Sequence, residues 1–290
     1  MQKKSEVQER LATLRTCFPP SVLTAVAETS ADMDLEVWLV GGTVRDALMG
    51  RRPGDLDLTV ANDAHTFCRR LIDRLGGGAF VALGTDTEEG ARVVWRGLDI
   101  DVSSFRGSEE SLEEDLRLRD VTVNAMAVSL SQLLGEEEPQ LVDPVSGLAD
   151  LEQGVIRHCS GAFENDALRL LRVYRFAAVL GFRIVPETEA AVREHARELE
   201  GVAAERISYE LDLIFESGSG APAFWDMHEA GLIRVVLPEL YDGMAVAQPG
   251  YHHLDVFHHN FQALREMGRI LSDPGLVYPG FGDQFTKCLE

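Results

Sequence analysis

The sequence predicts an α/β N-terminal half, with helices on a mixed sheet of about five strands, followed by an all-helical C-terminal half. This prediction rests on two patterns. Short apolar or alternating segments bounded by glycine, which are typical of strands, recur up to residue 105. After Asn124 they nearly vanish, and longer segments with helical periodicity replace them. A chain of 290 residues is long enough for about two domains.

The individual elements follow from local patterns. Pro19-Pro20 interrupts a helical N-terminal segment, and an apolar, β-branched run ending at Gly41-Gly42 predicts a buried strand. Alternation of polar and apolar residues from Asp55 to Val60 predicts a half-buried strand. The predicted strands cover residues 37–40, 55–60, 79–84, 91–96 and 98–105. The predicted helices cover residues 5–30, 43–50, 63–75, 164–180, 187–199, 203–216 and 220–231.

Composition excludes several classes of protein. The chain has 27 Lys+Arg against 48 Asp+Glu, a formal net charge of −21, which taken alone argues against a nucleic-acid partner. It lacks an apolar run long enough to span a membrane and an apolar signal core, so neither a membrane partner nor secretion is expected. Its 4 cysteines are widely spaced without a CxxC pair, which favours reduced thiols and a cytoplasmic protein.

Two carboxylates, Asp55 and Asp57, lie two positions apart on a predicted strand and therefore leave the same face. They repel each other, and a hard divalent cation such as Mg²⁺ relieves that repulsion. The alternative is a pair of solvated surface acids. A third carboxylate is available from Asp101, or from Asp99, on another predicted strand.

The segment upstream of these acids favours the metal. Gly41-Gly42 joins a strand to a helix, where free backbone N–H groups and the helix dipole suit an anion such as a triphosphate. Arg45 adds a guanidinium one turn further on. An anion cradle, a divalent metal and three acids together indicate phosphoryl or nucleotidyl transfer with two metal ions.

Residues 39–50, followed by Asp55-Leu56-Asp57, resemble the first motif of the class II tRNA nucleotidyltransferases. That superfamily includes CCA-adding, CC-adding and A-adding enzymes and bacterial poly(A) polymerases. Four further segments resemble its later motifs in the same order, at residues 114–125, 143–157, 166–178 and 205–211. The resemblance implies a catalytic head over residues 1–143, a helical neck over 144–218 with a nucleobase-reading helix, and a helical body over 219–290.

The resemblance also implies roles by position. Asp55, Asp57 and Asp101 would be the catalytic carboxylates and would hold two Mg²⁺ ions, with Asp99 as the fallback for the third. The nucleotide would be bound by Gly41, Gly42, Arg45, Arg119, Asp120, Asn124, Asp166, Arg169, Arg172 and Arg175. The family usually has a second arginine where this chain has Leu118, so one phosphate or ribose contact is missing or is supplied by Arg117.

Base selection has a physical rationale. Adenine and cytosine present an exocyclic amine beside an unprotonated ring nitrogen, which matches a carboxylate beside a guanidinium. Asp166 and Arg169 are three positions apart in a predicted helix and would be neighbours. The alternative is an ordinary surface salt bridge. Arg172 and Arg175 continue this series in steps of three, so the four side chains are spread over about half of the helix circumference. We therefore expect some of these arginines to bind other parts of the protein and others to contact the ligand.

The stretch between Arg106 and Glu114 bears on specificity because it is short. Family members that add the final A carry a longer flexible loop there, whereas CC-adding members resemble this chain. We therefore expect an enzyme that adds CMP from CTP to tRNA 3′ ends and leaves the A to a separate enzyme. A CCA-adding enzyme that also uses ATP, a poly(A) polymerase and a degenerate RNA-binding relative are the alternatives.

Histidines 252, 253, 258 and 259 resemble the entry to an HD-type phosphohydrolase domain. The His-Asp pair that should follow is absent before Glu290, so we expect a partial domain without activity and a truncated chain. Residues 157–183 carry five arginines against Glu164 and Asp166. We therefore expect the tRNA to be held by a restricted basic strip, with binding that weakens steeply as salt is raised.

Overall fold

The structure, a computed structural model, describes residues 2–84, 89–107, 111–248, 253–273 and 275. The chain forms two compact units, Met1–Gln153 and Gly154–Glu290. No helix among the described residues is long and apolar enough to cross a membrane.

A six-stranded mixed sheet organises the first unit. Its strands are β1 (Trp38–Val40), β2 (Leu56–Val60), β3 (Ala79–Gly84), β4 (Glu89–Trp95), β5 (Leu98–Ser104) and β6 (Ala127–Ser129), in the order β3-β4-β5-β2-β1-β6. β2 and β5 run parallel, and the other pairs are antiparallel. The five predicted strands are confirmed. The sixth was missed because β6 is only three residues long and follows Asn124.

Helices cover the sheet and account for most of the remaining residues of this unit. They are α1 (Gln2–Ala12), α2 (Leu14–Cys17), α3 (Pro20–Met33), α4 (Gly41–Leu48), α5 (Ala64–Leu75), α6 (Leu112–Arg117), the 3₁₀ turn η1 (Thr122–Asn124), α7 (Leu130–Leu134) and α8 (Gly147–Gln153). α3 begins at Pro20, which confirms the predicted interruption because proline suits the first helical turn. Phe67, Cys68 and Leu71 of α5 are buried, so one face of α5 helps to form the core.

The last helix of the first unit, α8, is held by hydrogen bonds to η1 and to Asp143. Thr122 of η1 donates a hydrogen bond from its Oγ1 to Asp150 of α8 at 2.7 Å. Asp143 caps α8, because its carboxylate accepts hydrogen bonds from the N–H groups of Gly147 and Leu148 at 2.7 and 3.0 Å. The first compact unit ends at Gln153, just after these contacts, and the end of the catalytic head at residue 143 stays a prediction. The further division of the second unit at residues 218/219 stays a prediction.

The second unit is mostly helical, as predicted. Its helices are α9 (Ala162–Asn165), α10 (Arg169–Leu180), α11 (Pro186–His195), η2 (Ala196–Gly201), α12 (Ala204–Glu216), α13 (Gly220–Glu229), α14 (Leu232–Val236), η3 (Pro238–Gly243) and α15 (Val256–Ser272). Two short parallel strands, β7 (Val155–Ile156) and β8 (Arg183–Ile184), were not predicted.

The predicted continuous helix over residues 164–180 is wrong in one respect. Asp166 has extended backbone angles and separates α9 from α10. Its side chain accepts a hydrogen bond from the N–H of Leu168 at 3.1 Å. This local bond competes with helical hydrogen bonding, as aspartate side chains commonly do.

Candidate active site

Carboxylates from two parallel strands form the floor of the candidate site. Asp57 of β2 and Asp101 of β5 are register partners, so their side chains leave the same face of the sheet. Asp55 immediately precedes β2 and is exposed. Burial and the charge of Asp101 raise the pKa of Asp57 to about 6, although the N–H of Thr43 acts against this rise. Although its side chain is exposed, Asp55 loses part of its hydration next to the protein, and this loss and the neighbouring Asp99 raise its pKa.

Thr43 links the start of α4 to Asp55 and Asp57 by hydrogen bonds. Its backbone N–H donates to Asp57 Oδ2 at 3.1 Å, and its hydroxyl donates to the carbonyl oxygen of Asp55 at 3.0 Å. The same hydroxyl accepts the backbone N–H of Asp57 at 2.7 Å. The first motif therefore folds onto itself, with the N-terminus of α4 beside the two aspartates.

The two glycines of this motif are required by close packing. A Cβ at residue 42 would lie 3.0 Å from Asp57 Oδ2, and a Cβ at residue 41 would lie 3.3 Å from it. Gly41 also has a φ of +61°, which disfavours any residue with a side chain. The predicted approach of the α4 N-terminus to the acids is thus present in the structure.

Arg92 of β4 engages the third predicted carboxylate. Its Nε and Nη2 donate to the two oxygens of Asp101 at 2.7 and 2.8 Å, and its Nη1 donates to Asp99 at 2.9 Å. Within the described residues, no three His, Cys, Asp or Glu side chains are grouped so that they could hold a metal ion. The predicted metal set of Asp55, Asp57 and Asp101 stays a prediction, and in this structure Asp101 is paired with Arg92.

The donor chemistry of the remaining acids nevertheless fits Mg²⁺. Asp55 and Asp57 offer carboxylate oxygens, the ligands that this ion prefers together with water and substrate phosphates. Burial, followed by the charges of neighbouring carboxylates, raises the pKa of both acids, and a bound cation would favour their ionised forms. Asp55 and Asp57 would hold the metal, with Asp101 available when Arg92 releases it.

The second motif lies beside the first. Arg45 donates from Nη1 to Asn124 Oδ1 at 2.7 Å and from Nε to its neighbour Asp46 at 2.9 Å. Asn124 in turn donates to Asp120 at 3.5 Å, and Asp120 also accepts the N–H of Val121 at 2.8 Å. The structure therefore brings together Arg45, Asp120 and Asn124, which the sequence had assigned to the nucleotide.

Arg119 is positioned by a buried carboxylate. Asp115 is fully buried and accepts from Arg119 Nη2 and Arg106 Nη1, each at 2.8 Å. Burial alone would raise the pKa of Asp115, but the two guanidinium groups outweigh it and the pKa is lowered. A Cβ at Gly41 would lie 3.6 Å from Arg119 Nη1, which places this guanidinium next to the α4 N-terminus.

The proposed base-reading residues belong to the second unit. Asp166 Oδ2 accepts from Arg206 Nη2 of α12 at 2.7 Å. Arg169, the first residue of α10, is buried, and its guanidinium donates to the carbonyl oxygen of Ala162 at 3.4 Å. The expectation that Asp166 and Arg169 are neighbours within one helix is wrong, because α10 begins only at Arg169.

Arg172 and Arg175 both contact one buried acid. Glu210 of α12 is 2% exposed, and its carboxylate lies 3.8 Å from Arg172 Nη1 and 3.2 Å from Arg175 Nε. The guanidinium of Arg175 also lies 4.6 Å from the ring centre of Phe176. These two arginines brace α10 against α12, which agrees with the expectation that part of the arginine series is structural.

Two family models match the chain. The model of the poly A polymerase head domain matches residues 37–157, and that of the probable RNA and SrmB-binding site of polymerase A matches residues 181–244. Together they cover more than half of the sequence. The chain belongs to the class II tRNA nucleotidyltransferase and poly(A) polymerase family.

Several named family members are similar to this chain. It is 38% identical over 236 residues to an A-adding tRNA nucleotidyltransferase of Deinococcus radiodurans and 39% identical over 234 residues to a CC-adding tRNA nucleotidyltransferase of Geobacter sulfurreducens. Each alignment covers 79% of this chain and 51% of the relative, so the chain spans about half the length of these curated relatives. The solved Thermotoga maritima CCA-adding enzyme complexed with tRNA CCA has a TM-score of 0.68 at 26% identity, covering 94% of this chain and 62% of that chain.

Sequence reasoning missed several residues of this candidate site. Thr43, Arg92 and Asp115 were assigned no role, although their contacts hold the predicted residues in place. Arg92 carried a usable signal, because a lone arginine within an apolar strand needs an acidic partner on a neighbouring strand. Arg206 and Glu210 were noted only as part of the last motif.

Proposed function

We propose that this chain transfers CMP from CTP to the 3′ ends of tRNA and adds the CC of the CCA end. The observation that carries the proposal is the link between Asp55, Asp57 and the N-terminus of α4 through Thr43. That link puts carboxylate oxygens beside the N-terminus of α4, and a helix N-terminus beside cation-binding oxygens suits a nucleoside triphosphate with its cation.

The chemistry is an in-line attack of the tRNA 3′ hydroxyl on the α-phosphorus of CTP, with pyrophosphate as the leaving group. When bound, Mg²⁺ supplies charge that stabilises the attacking and leaving oxygens. Asp55 and Asp57 hold that charge in place. The N-terminus of α4 orients the triphosphate, and the guanidinium groups of Arg45 and Arg119 offset its negative charge.

Base selection rests on Asp166. Its carboxylate accepts the exocyclic amine of cytosine, while a neighbouring guanidinium donates to the ring nitrogen, so uracil and guanine are rejected. Arg169 is the guanidinium that we assign to this role. Arg206 holds the second oxygen of Asp166 and fixes its orientation.

The restriction to CC is supported by the short segment between Arg106 and Glu114. Residues 108–110 of that segment lie outside the described residues. Sequence identity does not separate the possibilities, since the A-adding and CC-adding relatives are 38% and 39% identical to this chain. A CCA-adding enzyme that uses CTP and ATP is therefore the second candidate. We also propose that the enzyme acts in the cytoplasm and that a separate enzyme adds the final A.

The test is to supply three transcripts of one tRNA, ending at the discriminator base, after C and after CC, with CTP, ATP or both. We expect two cytidines on the first transcript, one on the second and none on the third, with no adenosine in any product. Sequencing of the products gives the last nucleotide added. A product ending in CCA would contradict the CC restriction, and long adenosine tails would favour a poly(A) polymerase. A matched transcript that already ends in CCA serves as the control.

A further inference from the structure

A second cleft lies wholly within the second unit, between α10 and α13 and beside β8 and α11. Its volume is about 310 Å³, which is within the range of small-molecule pockets. The space exists because the facing positions carry small side chains, among them Ala177, Ala178 and Gly181 of α10 and Ala223 of α13. None of its lining residues has a role in the nucleotidyl transfer proposed above.

Tyr174 presents an unsatisfied hydroxyl to this cleft. The residue is 2% exposed and lines the cleft, and its hydroxyl forms no hydrogen bond with any residue that the structure describes. The hydroxyl oxygen is not among the fully enclosed polar atoms of the described residues, so a ligand in the cleft can reach it. Burial raises the pKa of Tyr174, so the group is a neutral phenol that can both accept and donate.

Two carboxylates share the cleft with this hydroxyl. Asp226 of α13 is exposed, and its carboxylate has no ion pair or hydrogen bond to the described part of the chain. Burial and the negative charges of Glu189 and Glu229 raise its pKa. Glu189 of α11 has an exposed contact with Arg193, at 3.4 Å. The phenol and the two carboxylates therefore give the cleft three groups that can accept hydrogen bonds, with Arg193 at the outer side of Glu189.

We propose that this cleft binds the ammonium group of a primary aliphatic monoamine. An ammonium group has three N–H donors and no acceptor, which matches one phenol oxygen and two carboxylates. Its alkyl chain would lie against Ala177, Ala178 and Ala223. Arg183 also lines the cleft and is exposed, so its charge disfavours a second ammonium group on the same ligand.

The ligand class is tested by calorimetric titration of the whole chain with n-butylammonium at fixed ionic strength. We expect saturable binding of one n-butylammonium per chain. Butanol, which lacks the charge, and tetramethylammonium, which lacks N–H donors, should bind at least about tenfold more weakly. Putrescine should bind no more tightly than n-butylammonium. Because the chain carries a net charge of −21, tighter binding of the doubly charged putrescine would indicate non-specific attraction and overturn the proposal.

Two matched variants test whether Asp226 binds the ammonium group. Asp226→Asn should weaken n-butylammonium binding by about tenfold, as expected for loss of a charged hydrogen bond. Asp212→Asn, which removes the same charge from an exposed position on α12, should leave binding unchanged. Equal effects of the two variants, or the absence of saturable binding to the original chain, would refute the site.

The variant Tyr174→Phe distinguishes an effect on amine binding from an effect on the stability of the protein. Since the hydroxyl has no partner among the described residues, the ligand-free variant should melt at the same temperature as the original chain or higher. The rise in melting temperature caused by n-butylammonium should be reduced. An undiminished rise in the variant would show that the hydroxyl does not contact the amine, and the proposed site would be wrong.

Discussion

At the scale of single residues, the candidate active site is a balance of unlike charges in which each acid has a different partner. Asp57 has the N–H of Thr43, Asp101 has Arg92, and Asp115 has two arginines. The two guanidinium groups lower the pKa of Asp115, while burial raises that of Asp57. The acid with the weakest compensation is therefore the one best suited to receive a cation.

Asp57 should make metal binding depend on pH. Its pKa of about 6 in the folded protein means that a cation must displace a proton below that pH but not above it. We expect Mn²⁺ affinity, measured by electron paramagnetic resonance, to rise by up to about tenfold per pH unit below pH 6 and to level off above pH 7. The Asp57→Asn variant should bind weakly and without this dependence. A flat profile for the original chain would disprove the assignment.

Arg92 should compete with a cation for Asp101. In Arg92→Met the acids lose their guanidinium partner, so we expect Mn²⁺ affinity to increase by about tenfold and the metal-free protein to lose about 1 kcal/mol of stability. Equilibrium binding and urea unfolding measure the two effects. Arg96→Met is the control, because Arg96 lies over the ring of Trp95 instead. A fall in Mn²⁺ affinity would mean that Arg92 aligns Asp101 as a ligand.

At the scale of elements, residues of the motifs form hydrogen bonds and ion pairs with residues of other helices and turns. The sequence order of the motifs predicted the family, and periodicity predicted most helices and five strands. The partners across elements could not be predicted, since Thr122 meets Asp150 and Arg175 meets Glu210 only after the chain has folded. The sequence analysis placed Asp166 in a helix. Its side chain instead accepts a hydrogen bond from the N–H of Leu168, and such a local bond cannot be detected from hydrophobic periodicity.

The α8–η1 contact should not tolerate a side chain at Gly147. A Cβ there would overlap the carbonyl oxygen of Thr122, a backbone atom that cannot rotate away. We expect Gly147→Ala to cost about 1–3 kcal/mol in urea unfolding, the range for overpacking. Gly54→Ala is the control, because its Cβ would meet no atom within 4 Å. Equal stability of the two variants would contradict this account of the third motif.

The α10–α12 contact should depend on Glu210. Replacement by Gln leaves Arg172 and Arg175 without the buried charge that they share, and breaking such a buried pair costs about 3–5 kcal/mol. Arg172 is partly exposed, so we expect the lower end of this range in urea unfolding. Glu205→Gln changes an exposed acid of the same helix and should have little effect. A neutral Glu210→Gln would mean that the arginines have other partners.

At the scale of the whole molecule, the net charge of −21 is compatible with a tRNA substrate because the charges are unevenly placed. Arginines concentrate in the motifs, whereas many acids lie elsewhere. Family membership could be predicted from five ordered motifs, each of which specifies local chemistry. The nucleotide that ends the proposed reaction stays a prediction, because the A-adding and CC-adding relatives are almost equally similar to this chain.

The central claim is that Asp55 and Asp57 direct metal-dependent nucleotidyl transfer to tRNA. The most direct measurement is single-turnover incorporation of CMP from CTP with Mg²⁺ into a tRNA lacking its CCA end, comparing the original chain with Asp57→Asn and with the control Asp63→Asn. We predict that Asp57→Asn slows incorporation by at least about 1,000-fold, or about 4 kcal/mol. Its tRNA affinity should change by no more than about twofold, because phosphate contacts elsewhere dominate binding. Full activity of Asp57→Asn, or none in the original chain, would contradict the account.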